Sequence, residues 1–411
     1  MEVMNPRCCG LDVHKKSVVA CVITPEGQET RTFTTMTKDL LELKKWLLAA
    51  GVTHVAMEST GVYWKPIYNI LEDSLTLLVV NAQHIKAVPG KKTDVKDAEW
   101  IADLLRHGLL RGSFIPDRSL RELRELVRYR RTLIHDQSRI INRIQKTLEG
   151  ANIKLSSVAT DIVGVSGRLI LKAMIDGVED PKALADMAKG RLRQKSDSLE
   201  EALLGLIGTH QRRLLQSQLG HLDYLDKEIS KLDDDISSYI EPYQHIIEQM
   251  DTVHGIGQRG AEEILAEIGP DVVSHFPDAH HLASWCSICP GNNESAGKHK
   301  SGKTGHGNPW LRSALVEAAW AAIKVKHSYF SGLYHRLAGR RGSKRAIVAV
   351  AHAILVTIYS MLKNGTVFHD LGEHFHDTLN PASVIRRAVS RIENLGYKVV
   401  LEKLTPEPVF S

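Results

Sequence analysis

The chain has 411 residues, 43% hydrophobic and 25% charged, proportions that exclude a disordered or fibrous protein and allow a sizeable core in two or three domains. Five cysteines, two of them adjacent at Cys8 and Cys9, exclude a disulfide framework and fit a reducing cytoplasm. The net charge of +5 is unevenly spread: residues 118–146 carry nine Lys or Arg against three acids, and residues 298–345 carry eleven against one. Two such tracts on an otherwise acidic chain point to a polyanion gripped at defined places, ahead of the alternative of two solvated helix faces.

The N-terminal stretch MEVMNPRCCG has no apolar run behind its charges, so no secretory signal is expected. CCGLDVH and SVVACVIT are predicted strands paired around Lys15-Lys16, with RTFTT a third, THVAMEST a fourth and LTLLVVN a fifth. LLELKKWLLAAG, Leu40 to Gly51, and VYWKPIYNILED have helical spacing, and a helix from about Asp94 to His107 closes the unit. Early strands followed by alternating helix and strand predict an α/β fold, a mixed sheet with helices packed on it.

From Asp117 to Glu149 the pattern becomes one long basic amphipathic helix, with Leu120, Leu123, Val127, Ile134, Ile141, Ile144 and Leu148 at helical spacing. Its arginines Arg121, Arg124, Arg128, Arg131, Arg139 and Arg143 form a candidate nucleic-acid-binding face. Short helices follow, with a break at Pro181. Then Leu215, Leu219, Leu222, Leu225, Ile229, Leu232, Ile236 and Ile240 mark a second long helix with a coiled-coil-like seam. Either helix could pack on the other or on a second protomer. After Pro242 a compact helical domain is expected, opening with a glycine hairpin in VHGIGQRGAEEILAEIG, Val253 to Gly269, that resembles a helix-hairpin-helix module or a plain tight turn. AIVAVAHAILVTIYSML, Ala346 to Leu362, falls short of the roughly 20 apolar residues of a membrane span and reads as a buried core helix. The pattern divides the chain at 1–112, 113–245, 246–368 and a tail over 369–411.

Within the second basic tract, GKHKSGKT (Gly297 to Thr304) fits the phosphate-loop pattern G-x-x-x-x-G-K-[ST]. That loop needs a strand before it and a helix directly after it. Here Pro290-Gly291-Asn292-Asn293 precedes and Gly305-His306-Gly307-Asn308-Pro309 follows, so ATP binding is not expected. Cys286 and Cys289 with His299 and His306 lack the second compact ligand pair of a zinc site.

Four carboxylates carry the chemistry. Asp12 lies near the end of the first strand, Glu58 at the end of the fourth, and Asp94 and Asp97 three apart at a helix start. Each alone has a bland reading as a turn residue or helix cap. Together they can converge at one sheet edge, where hard magnesium ions favour oxygen ligands and a two-metal site can clamp a phosphodiester.

GLDVHK, MESTGVYW and KTDVKDAEWIADLL resemble the D, E and D-x-x-D motifs of the RuvC-like, RNase H-fold domain in the IS-110 family of bacterial insertion-sequence transposases. VHGIG through CPGNNESAGKHKSGKTGHGNPWLR resembles that family's second domain. The resemblance implies a recombinase acting on DNA, with Asp12, Glu58, Asp94 and Asp97 binding magnesium, two ions in all, and Ser295 as the nucleophile of a covalent phosphoserine intermediate. Ser301 is the alternative register. Lys298, Lys300, Lys303 and Arg312 would stabilise the charge of the reacting phosphate. The resemblance also implies a structured guide RNA, a homo-oligomer (dimer or tetramer), and a cytoplasmic, nucleoid-associated protein with no membrane partner. Two other readings stand beside it: a RuvC-like magnesium-dependent nuclease in which water attacks, and a non-catalytic nucleic-acid-binding protein.

Overall fold

Strand β1 (Cys8–Val13) is buried along nearly its whole length, because both faces of the sheet to which it belongs are covered. The computed structural model describes residues 2–59, 61–81, 97–289, 294–295, 298–299, 305 and 307–402. They form two units, Met1–Pro116 and Asp117–Ser411.

In the first unit, β2 (Ser17–Thr24), β3 (Gly27–Thr34), β4 (His54–Glu58) and β5 (Thr76–Val80) join β1 in the order β3-β2-β1-β4-β5. The β1–β2 and β2–β3 pairs are antiparallel; β1–β4 and β4–β5 are parallel. Strand alternation sorts the side chains between two cores. Cys9, Leu11, Val13, Val55 and Met57 meet the helices α1 (Thr37–Ala49) and α2 (Trp64–Leu71) on one face. Cys8, Cys21, Ala56 and Val80 meet α3 (Asp97–Arg106) on the other. This is the mixed, RNase H/RuvC-like sheet expected from the sequence.

The second unit opens with α4 (Arg118–Gly150), capped by Asp117, whose carboxylate accepts from the Leu120 N–H at 2.9 Å. Short helices between residues 155 and 203 lead to α5 (Thr209–Ile240). Pro181 starts one of these helices instead of breaking one, with Asp180 as its cap. The two long helices pack on each other within the chain. Tyr239 donates to Glu122 and Arg130 to Asp233 near one end, while Thr147 bonds Gln218 near the other, so they run antiparallel. All eight seam positions read from the sequence of α5 are buried. On α4 the buried set is shifted: Leu133 and Ile140 are inside and Ile134 and Ile141 are half-buried. Arg130 and Arg131 also face inward, which the apolar pattern alone could not register.

Helices α6 (Gln258–Ile268), α7 (Ala279–Cys286), α8 (Pro309–Ala322), α9 (Tyr329–Arg341) and α10 (Ser343–Asn364) complete the core. Helix α10 is long and apolar enough to cross a bilayer by length and composition, but Ile347, Val350, Ile354, Leu355 and Ile358 are buried in the protein core. Gly255, with φ of +86°, turns the chain into α6. A side chain there would strike Ala318 and Ala322 of α8, the nearest atom being the Ala318 carbonyl at 2.2 Å, so this hairpin glycine packs inward.

Candidate active site

The β1–β4 register pairs Gly10 with Ala56 and Leu11 with Met57. One residue further on, Asp12 and Glu58 stand side by side at the C-terminal ends of parallel strands, on the same face as Cys8 and Ala56. That face is the one α3 covers. A Cβ on Gly10 would lie 2.2 Å from the Ala98 carbonyl and 2.4 Å from the Ala102 nitrogen, so only glycine lets the helix backbone sit directly on β1. The Cys8 thiol adds a bond to the Ala102 carbonyl at 3.5 Å, and burial pushes this thiol up to about 11, keeping it a donor. Asp97, the residue before Ala98, is therefore held at the start of α3 over the strand that bears Asp12. Asp94 lies outside the described residues. His14, two residues beyond Asp12, places Nε2 3.0 Å from Asp12 Oδ2. Among the described residues no group of three or more His, Cys, Asp or Glu side chains is close enough to hold one ion. The oxygen chemistry of Asp12, Glu58 and Asp97 nonetheless fits a hard divalent cation and no soft one.

Ser295 belongs to a two-residue strand, β6 (Glu294–Ser295), antiparallel to β7 (Lys298–His299), with Ser295 paired to Lys298. Lys300, Ser301 and Lys303 lie outside the described residues, as do the side chains of Ser295 and Lys298. The base of this loop is firmly tied. Ser287, at φ +58°, ends α7, and its Oγ accepts from the Gly307 N–H at 2.9 Å. Arg312 Nη1 donates to the Gly305 carbonyl at 2.9 Å. Asn308 caps α8 by accepting from the N–H groups of Trp310 and Leu311, at 3.0 and 3.2 Å. Its Nδ2 donates to Glu267 at 2.6 Å. Cys286 is fully buried beside this base, and burial pushes its thiol up to about 12.

Two sequence profiles match the halves that carry these groups. The DEDD transposase profile of IS110 elements matches residues 9–153, and the transposase profile of the IS116/IS110/IS902 family matches residues 247–335. The chain belongs to the IS110 family of transposases. Pilin gene-inverting proteins of Moraxella bovis and Moraxella lacunata are each 22% identical over 379 residues, covering 89% of this chain and 98% of theirs. A putative transposase, y4rJ, of Sinorhizobium fredii (strain NBRC 101917 / NGR234) is 29% identical over 119 residues, 28% of this chain and 29% of its own. This IS110-family transposase is thus an enzyme of DNA recombination that binds DNA, and its DEDD domain is of a divalent-metal-dependent kind.

The transposase's basic helix α4 is spent largely inside the fold. Arg128 meets Glu267 at two points, 2.7 and 2.8 Å, and stacks 5.5 Å from the Trp310 ring. Arg124 donates to the Ala266 and Glu267 carbonyls, both at 2.9 Å; burial brings it down to about 10, with the Glu267 charge opposing that shift. Arg131 bridges Glu263 and Glu317, and Arg130 bridges Glu262 and Asp233. Arg124, Arg128 and Arg131 thus have their charge matched within the chain. Arg121 is half-buried, Arg139 pairs with Asp136 on the surface, and Arg143 is exposed. Gly10, His14, Glu267, Ser287 and Asn308 escaped the sequence reading. A visible signal existed for two of them: His14 follows Asp12 at strand spacing, and Asn308 precedes a proline at a helix start.

Proposed function

We propose that this transposase breaks and rejoins DNA with Asp12, Glu58, Asp94 and Asp97 as its cation-holding set and Ser295 as its nucleophile. The observation that carries the first half is the seating of α3 on Gly10, which brings the Asp97 end of the helix to the strand of Asp12, beside Glu58. For the second half, Ser295 pairs with Lys298 in a loop whose base is stapled at Ser287, Gly305 and Asn308. Magnesium, two ions in all, is the cation that such oxygen donors suit, and when bound it would polarise the phosphodiester and acidify the attacking hydroxyl.

In the step itself, Ser295 Oγ bonds to phosphorus as one P–O bond to deoxyribose breaks. The serine proton passes to a base, and the departing oxygen takes up a proton. The phosphoserine conserves the energy of the phosphodiester, so a DNA hydroxyl can reverse the attack and seal a new partner strand without ATP. Lys298, Lys300, Lys303 and Arg312 would balance the charge of the reacting phosphate. The relatives named for pilin gene inversion fit such chemistry, since an inversion must both break and reseal strands.

The same reading takes the active form to be a homo-oligomer directed to its sites by a structured RNA, working in the cytoplasm on chromosomal DNA. It also takes residues 1–112 as the DEDD domain, 113–245 as the helical connector, 246–368 as the serine domain and 369–411 as a tail. Mass spectrometry after incubation with magnesium and DNA bearing the element's ends tests the centre of the proposal. A nucleotide adduct on the Ser295 peptide, lost in Ser295→Ala and without magnesium, is expected. Magnesium-dependent nicking that survives Ser295→Ala would show hydrolysis by water instead.

A further inference from the structure

We propose that residues 158–166 and 189–195 form a second groove for the phosphate backbone of duplex DNA, in a segment that neither family profile matches. The helix Val165–Ile175 begins there at Gly164, and a short turn, Gly190–Lys195, crosses in front of it. Two ties fix that turn. Ser166 Oγ accepts from the Lys189 N–H at 2.9 Å and donates to the Lys189 carbonyl at 3.4 Å, and Lys195 Nζ donates to the Val158 carbonyl at 3.4 Å. Between turn and helix lies an open groove of about 580 Å³, lined among others by Gly164, Ser166, Lys189, Arg191 and Lys195.

The charge of this turn differs in kind from that of α4. Lys189, Arg191, Arg193 and Lys195 are all exposed. Among the described residues no carboxylate forms an ion pair with any of them, whereas Arg124, Arg128 and Arg131 are neutralised inside the fold. The one acid lining the groove, Asp161, is engaged by the Val163 N–H at 2.9 Å. Four like charges at alternate positions repel one another, and a polyanion relieves that repulsion. Residues 151–208 contain no Phe, Trp, Tyr or His, so no ring is present on which an unpaired base could stack. What remains is contact with the backbone of a duplex, and DNA is the duplex on which this enzyme acts. The groove does not depend on the serine reading.

The test uses the full-length protein and a fluorescein-labelled DNA duplex of arbitrary sequence, followed by anisotropy between about 50 and about 200 mM salt. The triple variant Lys189→Ser, Arg191→Ser, Arg193→Ser, which leaves the Lys195 tie in place, should bind about tenfold more weakly at the lower salt. Its plot of log affinity against log salt should be flatter by about 2 to 3, given a slope of about 0.9 per phosphate contact. Its melting temperature should stay that of the parent, and the double variant Arg191→Lys, Arg193→Lys should keep the parental slope. Unchanged affinity and slope in the triple variant would overturn the groove. A loss confined to a structured RNA hairpin, with duplex DNA binding intact, would overturn its assignment to DNA.

Discussion

Arg128 and Glu267 form a two-point ion pair that ties the long helix α4 to the last turn of α6, and Asn308 extends the same carboxylate to the first turn of α8. Glu267 is almost fully buried, so its charge is tolerable only because three donors surround it. The base of the Ser295 loop hangs from this carboxylate.

Glu267→Ala should therefore destabilise the protein by about 3–5 kcal/mol, the usual loss when one partner of a buried pair is removed. Glu267→Gln keeps an acceptor for Asn308 but loses the charge opposite Arg128, and it should fall between the two. Urea unfolding of the three proteins gives the order; a Glu267→Ala protein as stable as the parent would refute it.

Gly10→Ala should separate fold from chemistry. The added methyl meets backbone atoms of Ala98 and Ala102, which cannot swing aside, so α3 must lift from the sheet. Overpacking of this kind costs about 1–3 kcal/mol. Because Asp97 moves with α3, DNA cleavage should drop far more than the melting temperature. Equal activity in the variant and the parent would show that the seating of α3 does not matter to the reaction.

Ser287→Ala removes the hydroxyl that holds Gly307, while Cys286 of α7 and Leu311 of α8 stay fully buried. Formation of the Ser295 adduct should slow by about tenfold, the scale of one lost hydrogen bond of roughly 1 kcal/mol with its positioning effect. Ser287→Asn, which tolerates the left-handed backbone at this position and keeps a side-chain oxygen that can accept from Gly307, should recover part of the rate. No difference among the three proteins would place the loop's order elsewhere.

Acid should weaken the helical unit through His352. This half-buried ring lies 6.4 Å from the His280 ring, and among the described residues its Nδ1 has no hydrogen-bond partner. Burial, followed by the His280 charge, lowers its pKa below the ordinary histidine value. The folded state thus prefers neutral His352. Its contribution is fully present above the unfolded pKa of about 6.5 and is lost as pH falls through the lower folded value. Melting temperatures at pH 7.5 and at about pH 5 should differ less in His352→Gln than in the parent.

The features legible in the sequence were those written in periodicity. Four of the five strands follow runs of β-branched and apolar residues, β3 being exposed and marked only at its threonine-rich end, and the buried seam of α5 follows its leucines and isoleucines position by position. Helix α4 was legible as a helix but not in its burial, because Arg130 and Arg131 take inward places by pairing with acids more than a hundred residues away. The same long-range pairing hid Glu267, which reads as one more acid on an amphipathic helix. Gly10 was hidden for a different reason: a close backbone approach leaves no trace except a glycine in a strand.

With DNA at both the serine loop and the proposed tip groove, the antiparallel pair of α4 and α5 would act as a ruler. From Arg128, level with the base of the serine loop, to Gly150 the helix advances about 33 Å at roughly 1.5 Å per residue. That is close to one turn of B-form DNA, roughly 34 Å. Inserting four residues into both helices would push the tip segment outward by about 6 Å and rotate it by about one turn of helix. A duplex held at both ends would then have to slip along its groove by nearly two base pairs.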